Sequence, residues 1–304
     1  MFEPFITTGT IAIGYPYISL KTLMGMEMNR QSKKALTQQI KKSDSEEQRP
    51  GLAAGQLLVF AHEMKPGDYI IIPSGGSHGL AIGRITANQP FEEALTYNKI
   101  EIPGYAKRRR VRWLKRISRE AVNPNLYRIL YAHQTIADVT ECAQWIDSLL
   151  FDFFKRGDEY HYILEVNRAD GINARELFQA AVDIFKLADD FSAENGILES
   201  EAPIDTRINL NSPGEIELIT KAAEFIFIAA AIIVGLNGGG LKFKVARMGI
   251  DLNLSTDGLI KKVNAFLNDR KNRQLSDSVR AKLETLQIDS AADVLSLIDR
   301  VNKK

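Results

Sequence analysis

Lys107, Arg108, Arg109, Arg110, Arg112, Lys115, Arg116 and Arg119 place eight cations within 13 positions, with Trp113 among them. In an extended strand Arg108, Arg110 and Arg112 share one face, and Arg109, Val111 and Trp113 share the other. One face of such a strand is wholly cationic. Duplex nucleic acid, with one charge every ~1.7 Å of its axis, is the commonest polyanion that a stripe of this kind meets. DNA is therefore the expected partner, and RNA the second. A solvated edge strand that is kept from aggregating by its charge has the same sequence signature.

The other chemistry-bearing residues are dispersed. His62, His78, His133 and His161 stand far apart, and none has a second ligand three or four positions away. His62-Glu63 lacks the second histidine of a zinc-protease helix. Asp205 with Glu215, Glu217 and Lys221 comes nearest to the Asp…Glu-x-Lys pattern whose carboxylates hold Mg²⁺ and whose lysine assists water, but the Glu-x-Lys spacing is missing. Gly238-Gly239-Gly240 lacks the Gly-Lys-Ser/Thr of a phosphate loop. The single cysteine, Cys142, has no histidine or acid placed to activate it, and one cysteine excludes an intramolecular disulfide. No catalytic residue, metal or cofactor is expected. A diverged metal-dependent nuclease or nucleotide-processing enzyme is the alternative function.

The elements around the cations are legible. A helical run, Gly55 to Met64, must stop at Lys65-Pro66-Gly67-Asp68, where proline fixes φ and glycine can take φ > 0. Tyr69 to Pro73 reads as a strand and Ser74 to Gly79 as a loop with three glycines. Leu80 to Thr86 follows as a second strand, so the pair is a hairpin. Gly83 inside it marks a bulge or a close approach of another backbone or a ligand.

These segments, "MKPGDYIIIP", "GLAIGRI" and "RRRVRWL", resemble the N-terminal PUA/EVE-like domain of Mrr-type restriction endonuclease proteins. The likeness covers roughly residues 6 to 140. It implies a β-barrel reader with a pocket for a base or a flipped nucleotide. Tyr69, Trp113 and Phe91 would stack on the base, and Ser74, Ser77 and His78 would give polar contacts. A barrel-core role for Trp113 fits the residues equally well. The implied setting is a bacterial anti-phage or restriction-type defence system. The nuclease motif is absent from the second half, so cutting does not carry over.

Residues 1 to 140 hold 19 Lys and Arg against 12 Asp and Glu, a balance of +7, whereas the remainder holds 20 against 26, a balance of −6. Such asymmetry predicts different partners for the halves, or mutual docking. The longest apolar run, Phe225 to Leu236, is too short to span a bilayer. With no signal-peptide pattern at the start, a cytoplasmic, membrane-free protein is expected. Asn29 to Gly51 reads as a solvated helix running into a loop.

The expected fold is α+β: a PUA/EVE-like β-barrel domain over 1–140, a connecting helix over 141–158, and a small α/β sandwich domain with a helical tail over 159–304. Ala143 to Lys155 carries the helical spacing, Tyr160 to Arg168 alternates like a half-buried strand, and Ser276 and Ser290 are candidate N-caps. The second domain is expected to oligomerise or to dock an effector protein, and the Phe225–Leu236 helix is a candidate homo-oligomer interface.

Overall fold

The hairpin forms where the turn residues place it. Gly67 takes φ 100° and donates its N–H to the Ile85 carbonyl at 3.0 Å, which joins β2 (Tyr69–Pro73) to β3 (Gly79–Ile85) in antiparallel register. The computed structural model describes residues 1–119, 122, 124–130, 135–166, 173–197, 203–209, 214–237 and 256–289. It is a mixed α/β protein of two units, Met1–Cys142 and Ala143–Lys304.

In the first unit α1 (Phe2–Thr8) ends at Gly9, which is left-handed at φ 63° and returns its N–H to the Phe5 and Ile6 carbonyls. After β1 (Thr10–Ile13) come α2 (Leu20–Met24), α3 (Arg30–Ser43) and α4 (Pro50–Leu58), the last prolonged by a π turn at Val59–Glu63. Beyond the hairpin lie β4 (Phe91–Glu92), β5 (Leu95–Tyr97), β6 (Ile100–Ile102), β7 (Lys107–Ser118) and the single turn α5 (Tyr127–Leu130).

The main sheet runs β1-β7-β3-β2, with β4 also on β7, and curls into half a barrel. Its long strand is not an edge over its first residues: Lys107 and Arg108 pair with β1 and with β4 at once. Ile11, Ile13, Leu57, Phe60, Ile85 and Val111 form the core beneath it. Leu36 and Ile40 of α3 are fully buried in the same core. That corrects the expectation of a merely solvated helix. Burying two such side chains, at ~1.5–3 kcal/mol each, anchors an otherwise polar segment.

The second unit comprises α6 (Ala143–Leu150), β8 (Phe153–Arg156), β9 (Glu159–Val166), α7 (Ala174–Glu194), β10 (Asp205–Asn209), β11 (Gly214–Thr220), α8 (Ala223–Leu236), α9 (Thr256–Asn268), α10 (Arg273–Leu286) and β12 (Ile288–Asp289). Its antiparallel sheet is ordered β10-β11-β9-β12, with β8 also on β9. Helices α7, α8 and α10 pack together, and α8 lies against β9 and β11.

Several expectations change here. The connecting helix stops at Leu150, because Phe153 and Phe154 pair with Tyr162 and His161 in a hairpin turned by Gly157 at φ 61°. The central strand β9 buries His161, Tyr162, Ile163 and Leu164 in succession, so it is covered on both faces and not half-buried. Ser276 does not cap a helix: α10 begins at Arg273, and Ser276 is buried inside it. Ala229 to Val234 of α8 are likewise buried in the core, which removes that helix as an interface. The helix expected after Ser290 falls outside the described residues.

Candidate nucleic-acid interface

Pairing with its neighbours decides which of the eight cations of β7 and its extension reach solvent. Lys107, Arg108 and Arg109 do not. Lys107 is 1% exposed and donates from Nζ to the Tyr15 carbonyl at 2.8 Å. Burial lowers its pKa, with Glu92 opposing. Arg109 is also 1% exposed, and its guanidinium donates to the carbonyls of Phe60 (2.6 Å), Asn88 (2.9 Å) and Ala61 (3.0 Å). It thus ties β7 to the end of the α4 π turn, whose carbonyls would otherwise be orphaned. Arg108 is held by Thr10 Oγ1, the Ala94 carbonyl and Glu93, beneath the Phe91 ring. The wholly cationic face therefore fails at its Arg108 end, because the β4 segment covers it.

The remainder is rearranged by a bulge. Gly83 of β3 pairs with Trp113, whereas Ile82 pairs with Lys115, so Leu114 is an extra residue in β7. Arg84 and Arg112 are partners. By alternation Ile82 and its partner Lys115 share their face, and Ala81 with its partner Arg116 take the other. An unbroken strand would have kept Arg116 beside Arg112. The bulge replaces it with Lys115.

Arg84, Arg110, Arg112 and Lys115 thus stand on one face of the sheet, the first three exposed and Lys115 half-buried. Two aromatic rings flank them: Arg84 lies over Tyr69 at 5.8 Å and Arg110 over Phe91 at 4.9 Å. Among the described residues, Arg112 and Lys115 have no ion pair. Sequence reasoning missed Arg84, which the alternation of β3 and its pairing with β7 would have supplied.

Arg116, on the opposite face, pairs with Glu3 at 3.3 Å and lies over the Phe2 ring. With Phe2, Ser74, His78, Gly79, Leu80, Ile117 and Ser118 it lines an open cleft of about 210 Å³. Two of the expected pocket residues, Ser74 and His78, therefore meet there. Among the described residues the buried Ser74 hydroxyl has no hydrogen-bond partner. Gly79 is obligatory, since a Cβ would come within 2.3 Å of the Ile117 carbonyl. The Ser77 side chain falls outside the described residues.

Tyr69 and Trp113 do not join this cleft. Tyr69 sits at the other end of the hairpin, opposite Arg84. Trp113 packs against the core and donates from Nε1 to the Phe5 carbonyl at 3.0 Å, so it is a barrel-wall residue. Arg119 is half-buried over the Tyr127 ring, its N–H donating to the His78 carbonyl.

In the second unit His161 Nδ1 lies 2.7 Å from Glu217 Oε1, and Arg207 lies 3.5 Å from the other oxygen of that carboxylate. Sequence spacing hid this pair, because 56 residues separate it. With its ring 1% exposed and stacked on Phe154 at 4.6 Å, His161 clamps β8, β9 and β11. Asp205, Glu217 and Lys221 do not converge as a nuclease centre would require. Glu217 is held by His161, Lys221 pairs with Asp158 at 2.6 Å, and Asp205 lies at the start of β10. No group of three metal-ligating side chains occurs among the described residues. Nor is any described helix long and apolar enough to cross a membrane.

A family model described as a domain of unknown function, DUF8426, matches residues 1–140. No curated protein and no solved structure matches the chain.

Proposed function

We propose that the first unit is a nucleic-acid-binding module, a PUA/EVE-like reader whose half-barrel presents Arg84, Arg110, Arg112 and Lys115 to a phosphate backbone. The observation that carries this reading is the placement of these four cations on one sheet face between Tyr69 and Phe91. A ring beside a guanidinium can stack an unpaired base, a contact worth ~1–3 kcal/mol. DNA is the favoured polymer. The Ser74–His78–Arg116 cleft would then take an extruded base, with Phe2 as its aromatic wall. The second unit, as a small α/β sandwich, would assemble copies or dock an effector within a bacterial defence system of the restriction type.

Fluorescence anisotropy of single-stranded DNA, duplex DNA and RNA across a salt series tests the reading. Four phosphate contacts give a log–log salt slope of roughly −3 to −4. Affinity that is weak and indifferent to salt for all three polymers would overturn it.

A further inference from the structure

The cleft of the first unit carries one fixed charge, and that charge is answered from outside the cleft. Arg116 is the only lysine or arginine among the lining residues, and none of them is an acid. The carboxylate that neutralises it belongs to Glu3, which follows the lining residue Phe2 in the first turn of α1. Nη1 of Arg116 reaches Oε1 of Glu3 at 3.4 Å, and Nη2 reaches Oε2 at 3.3 Å. Both contacts are longer than the ~2.7–2.9 Å of a tight charge-assisted pair, and the two side chains are 53% and 51% exposed. An ion pair of that kind is weak and opens at little cost. The guanidinium also lies over the Phe2 ring at 5.8 Å, a second hold that does not depend on Glu3.

Carboxylate and phosphate fit the guanidinium fork alike, so Glu3 holds the place that the anionic oxygens of a ligand would take. Within the cleft the buried Ser74 hydroxyl has no hydrogen-bond partner among the described residues, and Leu80 and Ile117 supply apolar lining. A molecule that answers the cation, the unspent hydroxyl and the apolar wall together joins a phosphate to a flat ring with polar edges. We infer that the cleft binds a nucleotide as a unit, with its phosphate on Arg116 and its base against Phe2 and the Ser74 hydroxyl, and that Glu3 is a built-in competitor which must leave Arg116 before the phosphate can enter. Because the Glu3 side chain is exposed, its departure is a change of rotamer that leaves α1 in place. This inference rests on the reading of the cleft as a base-recognising site, and it does not require the cationic face of the sheet.

Isothermal titration of the full chain with the common deoxynucleoside 5′-monophosphates, the matching nucleosides and inorganic phosphate tests it. At least one monophosphate should bind about tenfold more tightly than its nucleoside, and more tightly than inorganic phosphate. Glu3→Gln should tighten that monophosphate about twofold to fivefold and leave the nucleoside unchanged. In an Arg116→Met background the same Glu3→Gln change should do nothing, which closes a double-mutant cycle on the pair. A gain in affinity cannot come from a misfolded variant, so Glu3→Gln keeps the test sharp even if Arg116→Met is unstable. Failure of every monophosphate to bind overturns the inference. Inorganic phosphate held as tightly as the nucleotide overturns the nucleotide class, and a Glu3→Gln chain that gains nothing, or gains as much without Arg116, overturns the competitor role. A nucleoside bound as tightly as its monophosphate sinks the phosphate and its competitor while the base-recognising cleft stands. Anisotropy with fully paired DNA separates the remaining cases, because Arg84, Arg110, Arg112 and Lys115 do not line the cleft: a steep salt slope without monophosphate binding sinks only this inference, and monophosphate binding by a chain indifferent to paired DNA sinks only the phosphate-binding face.

Discussion

Arg84 of β3 and Arg112 of β7 stand directly opposite one another across the sheet, both exposed, and among the described residues neither has an ion pair. Like charges at facing positions destabilise a sheet by a few tenths of a kcal/mol up to ~1 kcal/mol. An anion placed between them would remove that cost. Arg112→Thr should therefore raise the urea midpoint slightly while it weakens DNA binding and reduces the salt slope by about one. A variant that loses stability, or binds as before, would refute this account of the pair.

Arg109 should behave in the opposite way. Its removal strands three carbonyls in a buried site, and each bond to a charged donor is worth ~1.5–3 kcal/mol. Arg109→Met should cost about 3 kcal/mol or more in denaturant unfolding, and Arg109→Lys should recover little, since a single ammonium cannot span the fork. Because Arg109 is sealed from solvent, a variant still folded at low temperature should retain the wild-type salt slope.

Gly83 tests the bulge. A Cβ there would lie 2.4 Å from Val111 Cγ1 and 2.7 Å from Trp113 Cε3. Gly83→Ala should cost ~1–3 kcal/mol through overpacking, and the tryptophan near-ultraviolet dichroism should change with it. An unchanged spectrum and midpoint would mean that Trp113 has room to move away.

Gly83 also shows what the sequence could yield. A glycine inside an alternating strand announces a bulge, and Pro66-Gly67 announces the turn before it, so the hairpin was legible in detail. The side chains that close on Gly83 belong to β7 rather than to a ligand. That could not be read, because it depends on register. The cationic stripe was legible as composition and misread as geometry. Alternation alone put Arg108 with Arg110 and Arg112 on one open face, but the covering β4 segment is a tertiary fact, as is the extra Leu114 that turns Arg116 away from that face. His161 and Glu217 were invisible for the same reason: their contact depends on how β9 registers with β11.

Tyr15 gives the protein a predicted alkaline limit. Its backbone is left-handed at φ 62°, and its hydroxyl donates to Glu47 at 3.0 Å. Burial, followed by the Glu47 hydrogen bond and charge, raises its pKa to about 12. The folded state thus keeps a proton that the unfolded chain releases near its ordinary value of 10.0. The stability this provides is fully present below that value and is lost as pH climbs toward 12. Lys107, whose pKa burial lowers, acts in the opposite sense over an adjoining range, so the diagnostic is a difference. The gap in urea midpoint between wild type and Tyr15→Phe should narrow as pH rises from 9 to 12. Tyrosinate absorbance should show one phenol titrating late that Tyr15→Phe lacks. A gap that is constant with pH would show that the Glu47 contact does not hold the proton.

Ser74 separates the cleft from the phosphate-binding face. Its hydroxyl is buried and has no hydrogen-bond partner among the described residues, so deleting it leaves no partner stranded, and Ser74→Ala should be neutral or slightly stabilising. If the cleft receives a base, the lost hydrogen bond should weaken binding by about threefold to tenfold. That loss should appear only with substrates that offer an unpaired nucleotide, such as duplexes with a mismatch or a bulged base. Fully paired DNA should bind Ser74→Ala as it binds wild type, with the same salt slope, because its phosphates meet Arg84, Arg110, Arg112 and Lys115, none of which lines the cleft. Equal losses on paired and mismatched duplexes would place the cleft outside recognition. A loss confined to the mismatched duplex would make Ser74 a base-contacting residue, and would leave His78 and Arg116 as the next side chains to vary.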